Sequence, residues 1–298
     1  MNRRRLLIVG AGDIAGRALP WLLRRFRVLA LVRDAESARR VRSWGAVPLL
    51  GDLDCRASLK RLAGIADAVL HFAPPPTSGE SDPRTARLLA ALAGRRSLAQ
   101  RLVYISTTGV YGDCAGARID ETRPCRPLTP RARRRVDAER HLRAFGRRSG
   151  TAVVLLRAPG IYAAERLPQQ RLLRGDPVLR AEEDVFSNHI HGDDLARLAC
   201  LALFRGRPGR AYNAVDASDM RMGEYFDLVA AHFGLPPPPR LPRAELAQEL
   251  SPMALSFMSE SRRIDGERVR RELRCALMYP TVADGLAAAR AQGDRPAC

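Results

Sequence analysis

"RLLIVGAGDIAG", residues 5–16, decides the fold. An apolar run ends in glycines, and the helical pattern "DIAGRALPWLLRRF" (13–26) follows. The run reads as a buried strand. Gly10 permits a tight turn and Gly12 lets a pyrophosphate approach the backbone. Ala15 stands where helix–strand packing needs a small residue. The N–H groups of Asp13 and Ile14 then face phosphates at the helix N-terminus. The stretch predicts a dinucleotide-binding turn. The plainer alternative is a turn that needs glycine for geometry alone.

Working outward, the same rhythm repeats. Apolar runs at 27–33, 46–51, 66–72, 101–106 and 152–157 read as further strands. Helical patterns near 34–43, 55–63 and 83–97 lie between them. Strands without alternating polarity, separated by helices, imply a parallel sheet covered on both faces. The fold class is therefore α/β, a Rossmann-type doubly wound sheet with a smaller C-terminal substrate-binding lobe. The domain reading is 1–160 for the NAD(P)-binding domain and 161–298 for the lobe. Residues from about 185 to 216 return to the sheet: "HIHGDDLARLACLALF" (189–204) reads as loop then helix, and "AYNAVD" (211–216) as a strand. "PPPPRLP" (236–242) is a stiff connector, and short helices fill 243–290.

The 298 residues carry a formal net charge of +18, and Lys60 is the only lysine. Such a charge can attract polyanions. The arginines are spread along the chain with few aromatics among them, which argues against nucleic acid. Arginine with abundant alanine and proline fits a GC-rich genome. Six cysteines form no CxxC pair and no His/Cys cluster at metal spacing. They read as free thiols, with no metal site. No segment approaches the ~20 apolar residues needed to span a bilayer. The expectation is a cytoplasmic protein with no membrane partner.

The second strand ends "LVRD". An acid there binds the adenosine ribose, whereas an arginine favours a 2′-phosphate. Arg33 therefore points to NADP over NAD, with Asp34 as the ribose-binding alternative. "GDLD" places Asp52 and Leu53 near the adenine. "HFAPPP" places Phe72, Ala73 and Pro74 beside the cofactor backbone.

Eight stretches run in order over about residues 5–216: "IVGAGDIAG", "GDL", "VLHFAPP", "VYISTTGVYGD", "IDETRP", "LLRAPGIY", "HIHGDDLA" and "YNAVD". In these the chain resembles the extended short-chain dehydrogenase/reductases, the NAD-dependent epimerase/dehydratase family. The resemblance implies hydride transfer at a carbinol or carbonyl carbon. It also implies a Ser or Thr that orients the substrate oxygen, and a Tyr-x-x-x-Lys pair as acid/base and ribose holder. Thr107 matches the Ser/Thr. The pair is absent, because Lys60 is the only lysine and residue 56 is an arginine. If Glu139 matches the acid that often follows the family's lysine by four, the resemblance puts Arg131 at the tyrosine position and Arg135 at the lysine position.

Residues 131, 135, 138, 142 and 145 share one helix face. Ala138, Leu142 and Phe145 read as the packed stripe, with Arg131 and Arg135 extending it to the cleft. Arg133, Arg140, Arg143, Arg147 and Arg148 read as solvated. Arginine cannot trade a proton near neutrality, but it binds ribose hydroxyls, phosphates and carboxylates. Arg135 is thus a candidate ribose holder. Arg131 is a candidate anchor for an acidic substrate or for the cofactor's phosphates. Tyr111 is the nearest candidate proton donor. Tyr162 is a weaker one, and Tyr104 reads as core. Pro159 and Gly160 shape a turn beside the nicotinamide. His71 reads as a packed, hydrogen-bonded histidine. His191 and Asp194 read as ties between the lobes, and Asp120 and Glu121 as part of a joining loop. "SPMALSFMSESRRI" (251–264) reads as core packing or as a helix over the cleft.

The substrate is expected to be a small molecule, either a sugar nucleotide or an acidic compound, with a homodimer as the reasonable assembly. The alternative function is a non-catalytic NAD(P)-binding sensor or regulatory module.

Overall fold

The computed structural model describes residues 3–94, 98–250, 255–256 and 258–293. Seven strands form one parallel sheet: β1 Arg5–Val9, β2 Arg27–Val32, β3 Val47–Leu50, β4 Ala68–His71, β5 Arg101–Thr107, β6 Ala152–Ala158 and β7 Ala211–Asn213. Their order is β3-β2-β1-β4-β5-β6-β7. The order reverses between β1 and β4, and the crevice outside the carboxyl ends at such a point is where this architecture binds ligands.

The labelled helices are α1 Asp13–Leu22, α2 Ala35–Ser43, α3 Pro83–Leu92, α4 Pro130–Ser149, α5 Gly192–Arg205 and α6 Met222–Phe233. Each follows from local chemistry. The Asp34 side chain caps α2, Asp82 caps α3 and Thr129 caps α4; Pro83 and Pro130 open their helices, where a missing N–H costs nothing. Gly150, at φ 74°, ends α4 in the left-handed conformation. Helix α1 stops at Leu22, short of the expected 26, and the stretch expected as a helix near 55–63 is a 3-10 helix, Arg56–Leu62.

The apolar alternation of the strands sends side chains to both faces. One cluster packs α1, α2 and α5 on Leu6, Ile8 and Val103. The other packs α3 and α4 on Leu7, Val69 and Leu102, through Ala138, Leu142 and Phe145. A third apolar cluster, around Tyr162, Tyr225, Phe226 and Val282, lies in the C-terminal part. Strand β7 carries the chain back into the sheet beside β6. "HIHGDDLA" opens with a short strand, His189–His191, parallel to Gly160–Tyr162, where a loop was expected. The connector pairs as well: Arg240–Leu241 lies parallel to Val178–Leu179. Of the 251–264 segment, residues 251–254 and 257 lie outside the described residues.

Candidate active site

A cleft of about 460 Å3 opens at the carboxyl ends of β1, β2 and β4. Its floor is the glycine turn. Gly10 adopts φ +96°, and a Cβ there would lie 2.4 Å from the Ala73 backbone nitrogen. The turn must be glycine because β4 and its continuation press against it. Gly12 differs: a Cβ there meets nothing within 4 Å. Its neighbouring space is the cleft itself, and Asp13 and Ile14 line it as α1 begins. Ala15 is buried against the sheet. These residues fit a dinucleotide pyrophosphate, whose charge the unpaired N–H groups of α1 would meet.

At the β2 end, Arg33, Ser37 and Arg40 line the cleft together. Asp34 does not: its carboxylate accepts the Ser37 N–H at 2.7 Å, and that bond holds it below its ordinary pKa. Asp52 and Leu53 line the same side, and Phe72, Ala73 and Pro74 the wall after β4. Arg84 from α3 reaches the Pro74 and Pro75 carbonyls at 3.4 Å and pairs with Asp54 at 2.5 Å. Arg166 enters from the C-terminal part, 3.3 Å from Asp13. Arg17 ties Asp13 (2.7 Å) to Asp193 (2.5 Å) and Glu165, so α1, α5 and the segment after residue 160 meet at one guanidinium. Five arginines line the cleft (Arg33, Arg40, Arg84, Arg135 and Arg166) against two acids, Asp13 and Asp52. Such a lining selects an anionic ligand.

The far end is formed by Ile105, Ile161 and Arg135. Arg135 donates from Nη1 to the Tyr104 hydroxyl and to the Ile105 carbonyl, both at 2.8 Å. Two bonds on one nitrogen fix the guanidinium and leave the rest of its fork on the cleft side. Tyr104 itself is fully buried, and burial pushes its pKa up to about 12. Below it, His71 Nε2 lies 2.9 Å from Thr85 Oγ1, which donates to Asp82. Burial lowers the His71 pKa to about 3, so the ring is neutral.

Several expected site residues lie elsewhere. Tyr111 is buried against Val110, Ile119 and Val215. Its hydroxyl donates to Asn213 (2.7 Å) and accepts from Arg157 (2.9 Å), with a pKa raised to about 12 by burial. It does not line the cleft, which removes it as a proton donor there. Tyr162 is likewise core, donating to the Thr281 carbonyl. Pro159 is half-buried outside the cleft, and Ile161 takes the wall position instead. Thr107 ends β5, but its hydroxyl accepts the Gly109 N–H at 3.2 Å and caps a 3-10 turn. Arg131 is exposed on the first turn of α4 and does not line the cleft.

The outward arginines divide too. Arg133, Arg140, Arg147 and Arg148 are exposed, whereas Arg143 is half-buried and donates to the Gly209 carbonyl. Asp194 is fully buried and accepts the Met278 and Tyr279 N–H groups; His191 accepts the Asp193 N–H. Glu121 accepts the Asn213 N–H at 2.8 Å, joining its loop to β7.

The NAD dependent epimerase/dehydratase family profile matches residues 6–214, most of the chain. The chain belongs to this family. Members of the epimerase/dehydratase family bind NAD(P), and the cleft described above has the place and chemistry for it. The chain is 30% identical over 249 residues to a UDP-glucose 4-epimerase of Azospirillum brasilense, covering 77% of this chain and 67% of that protein. It is 28% identical over 255 residues to a 4-hydroxy-2-methyl-3-oxo-4-farnesyl-3,4-dihydroquinoline-1-oxide ketoreductase of Stigmatella aurantiaca, covering 78% and 74%. A solved structure of a functionally unknown conserved protein from Silicibacter pomeroyi superposes with TM-score 0.81 at 29% identity, covering 98% of this chain and all of that one.

Within the epimerase/dehydratase scaffold, this chain has the glycine turn at the start of α1 and no Tyr-x-x-x-Lys, since Lys60 is its only lysine and residue 56 is an arginine. Sequence reasoning missed Ser37, Arg40, Arg84 and Arg166. Ser37 and Arg40 are three apart on α2, a spacing that puts them on one face beside Arg33. Arg166 comes from beyond the domain, and no local signal marks it. Also missed was the buried pair Arg157–Glu139, at 2.8 Å, with Ser106 donating to the same carboxylate at 2.7 Å.

Proposed function

We propose that this chain is an NADP(H)-dependent reductase of carbonyl compounds. The observation that carries the reading is the far end of the cleft, where Arg135 stands at the lysine position with no tyrosine, lysine, histidine or cysteine among the lining residues. A bound NADPH supplies hydride. Epimerisation and dehydration both begin by taking a proton from a carbinol, and arginine, with a pKa above ~12, is no base. Reduction asks for less. Arg135 stabilises the negative charge that develops on the substrate oxygen, and water can supply the final proton. The ketoreductase relative is consistent with that direction.

The phosphate-bearing cofactor follows from the β2 end. Arg33 and Arg40 flank Ser37 there, and Asp34, the acid that ends β2, spends its carboxylate on α2. A guanidinium pair and a hydroxyl suit a 2′-phosphate better than a bare ribose diol.

Calorimetry with NADPH and NADH tests the cofactor, and tighter binding of NADPH is the expected result. Loss of NADPH absorbance with a panel of neutral and acidic ketones and aldehydes tests the chemistry. The same absence of a proton-trading side chain beside Arg135, at the far end of the cleft, favours a second reading, a dinucleotide-binding sensor. NADPH binding with no oxidation across the panel would select it.

A further inference from the structure

The turn that Thr107 caps has a second set of charges around it. Gly112 closes that turn through its N–H, and Arg262 donates to the Gly112 carbonyl at 2.7 Å and pairs with Glu260 at 2.6 Å. The segment is anchored there: Ser261 N–H donates to Asp113 at 2.7 Å, and the Ser261 carbonyl accepts the Cys114 and Gly116 N–H groups. From the other side the first turn of α4 covers the same turn, with Ala132 beside Gly109. It brings Arg131 within electrostatic reach of Glu260 and Arg262.

Glu260 is 9% exposed, and its Oε1 has no hydrogen-bond partner. A buried carboxylate oxygen left unpaired is costly and calls for a donor. The adjacent Arg262 Nε is buried and unpartnered as well. One acceptor and one donor therefore stand unfilled on two paired side chains, beside the turn that Thr107 caps.

We propose that Arg131, Glu260 and Arg262 form the substrate's anchoring subsite, selective for a carboxylate whose neighbouring carbon carries a hydroxyl or amine. The assignment rests on the reductase reading for what happens next, but not for binding. Of the three side chains assigned to the ligand, two guanidiniums and one carboxylate leave a single positive charge, which suits a monoanion better than a phosphate dianion. The carboxylate takes the Arg262 Nε and Arg131 side, and the vicinal hydroxyl or amine donates to Glu260 Oε1. Hydroxylated oxo-acids meet these requirements together with the reducible carbonyl.

The test titrates NADP-loaded protein with galacturonate, galactose and galactose 6-phosphate by calorimetry. Galacturonate is expected to bind at least about tenfold tighter than the other two. Glu260→Gln removes the negative charge and replaces one acceptor oxygen with an amide donor, so the preference should move at least about tenfold toward the phosphate sugar. The exposed Arg131→Gln should weaken both anions and spare galactose. Circular dichroism checks that both variants are folded. Equal binding of all three probes, no binding of any, or an unchanged ratio in both variants would overturn the proposal. Binding of galacturonate without any NADPH oxidation would leave the subsite standing and remove the reductase reading.

Discussion

Arg135 shows how residue type limits what a site can do. It lines the cleft and is pinned by Tyr104 and Ile105 at 2.8 Å, so it can orient and stabilise charge but cannot trade a proton. Arg33 and Arg40 matter in a different way. Each charge-assisted bond to a phosphate contributes about 1.5–3 kcal/mol. Arg33→Ala or Arg40→Ala should therefore weaken NADPH binding by roughly 10- to 100-fold and leave NADH binding nearly unchanged. Calorimetry with both cofactors measures the difference, and equal losses for the two would contradict the assignment of this corner to a 2′-phosphate.

At the scale of elements, the turn between β1 and α1 separates two jobs that neighbouring glycines perform. Gly10 is needed by the fold, because φ +96° and the Ala73 backbone leave no room for a side chain. Gly12 has open space, so Gly12→Val should fold with an unchanged melting temperature yet lose dinucleotide binding. A variant that keeps its affinity would disprove the phosphate cradle. The joint between α4 and β6 makes another prediction. Glu139 and Arg157 are each about 95% buried and meet at 2.8 Å. Removing one partner strands a charge, so Glu139→Ala should cost about 3–5 kcal/mol in a urea melt. A cost under ~1 kcal/mol would mean that water reaches the pair.

For the whole molecule, buried titratable groups set the response to pH. Asp216 is 4% exposed, and burial pushes its pKa up to about 7. An unfolded aspartate titrates near ~3.9. Between those values the folded protein holds a proton that the unfolded chain has lost. This contribution is present at low pH and disappears as pH rises through about 7. His71 and His189 act oppositely. Burial lowers them to about 3 and about 4, so their neutral rings stabilise above the unfolded value and lose that stability as pH falls. Asp216→Asn should therefore be more stable relative to the parent at pH 8 than at pH 5 in urea melts. An identical gap at both values would show that Asp216 is ionised throughout.

The sequence by itself determined the sheet and the cofactor turn. Apolar runs and glycine spacing are local quantities, and parallel strands buried on both faces leave them little freedom. It also determined that the Tyr-x-x-x-Lys pair is absent, since Lys60 is the only lysine and residue 56, four before it, is an arginine in any conformation. Only the tertiary structure decided which arginine faces the cleft. A helix face spans both positions, yet β5 captures Arg135 from beneath while Arg131 clears the sheet. Tyr111 was legible as a nearby hydroxyl and proved to be core, because Arg157 and Asn213, distant in sequence, close over it. Arg166, Glu260 and Arg262 belong to the same class. Arg166 meets Asp13, and the local pair Glu260–Arg262 comes near Arg131, only after the chain has folded back across the sheet, so no window of neighbouring residues contains either meeting.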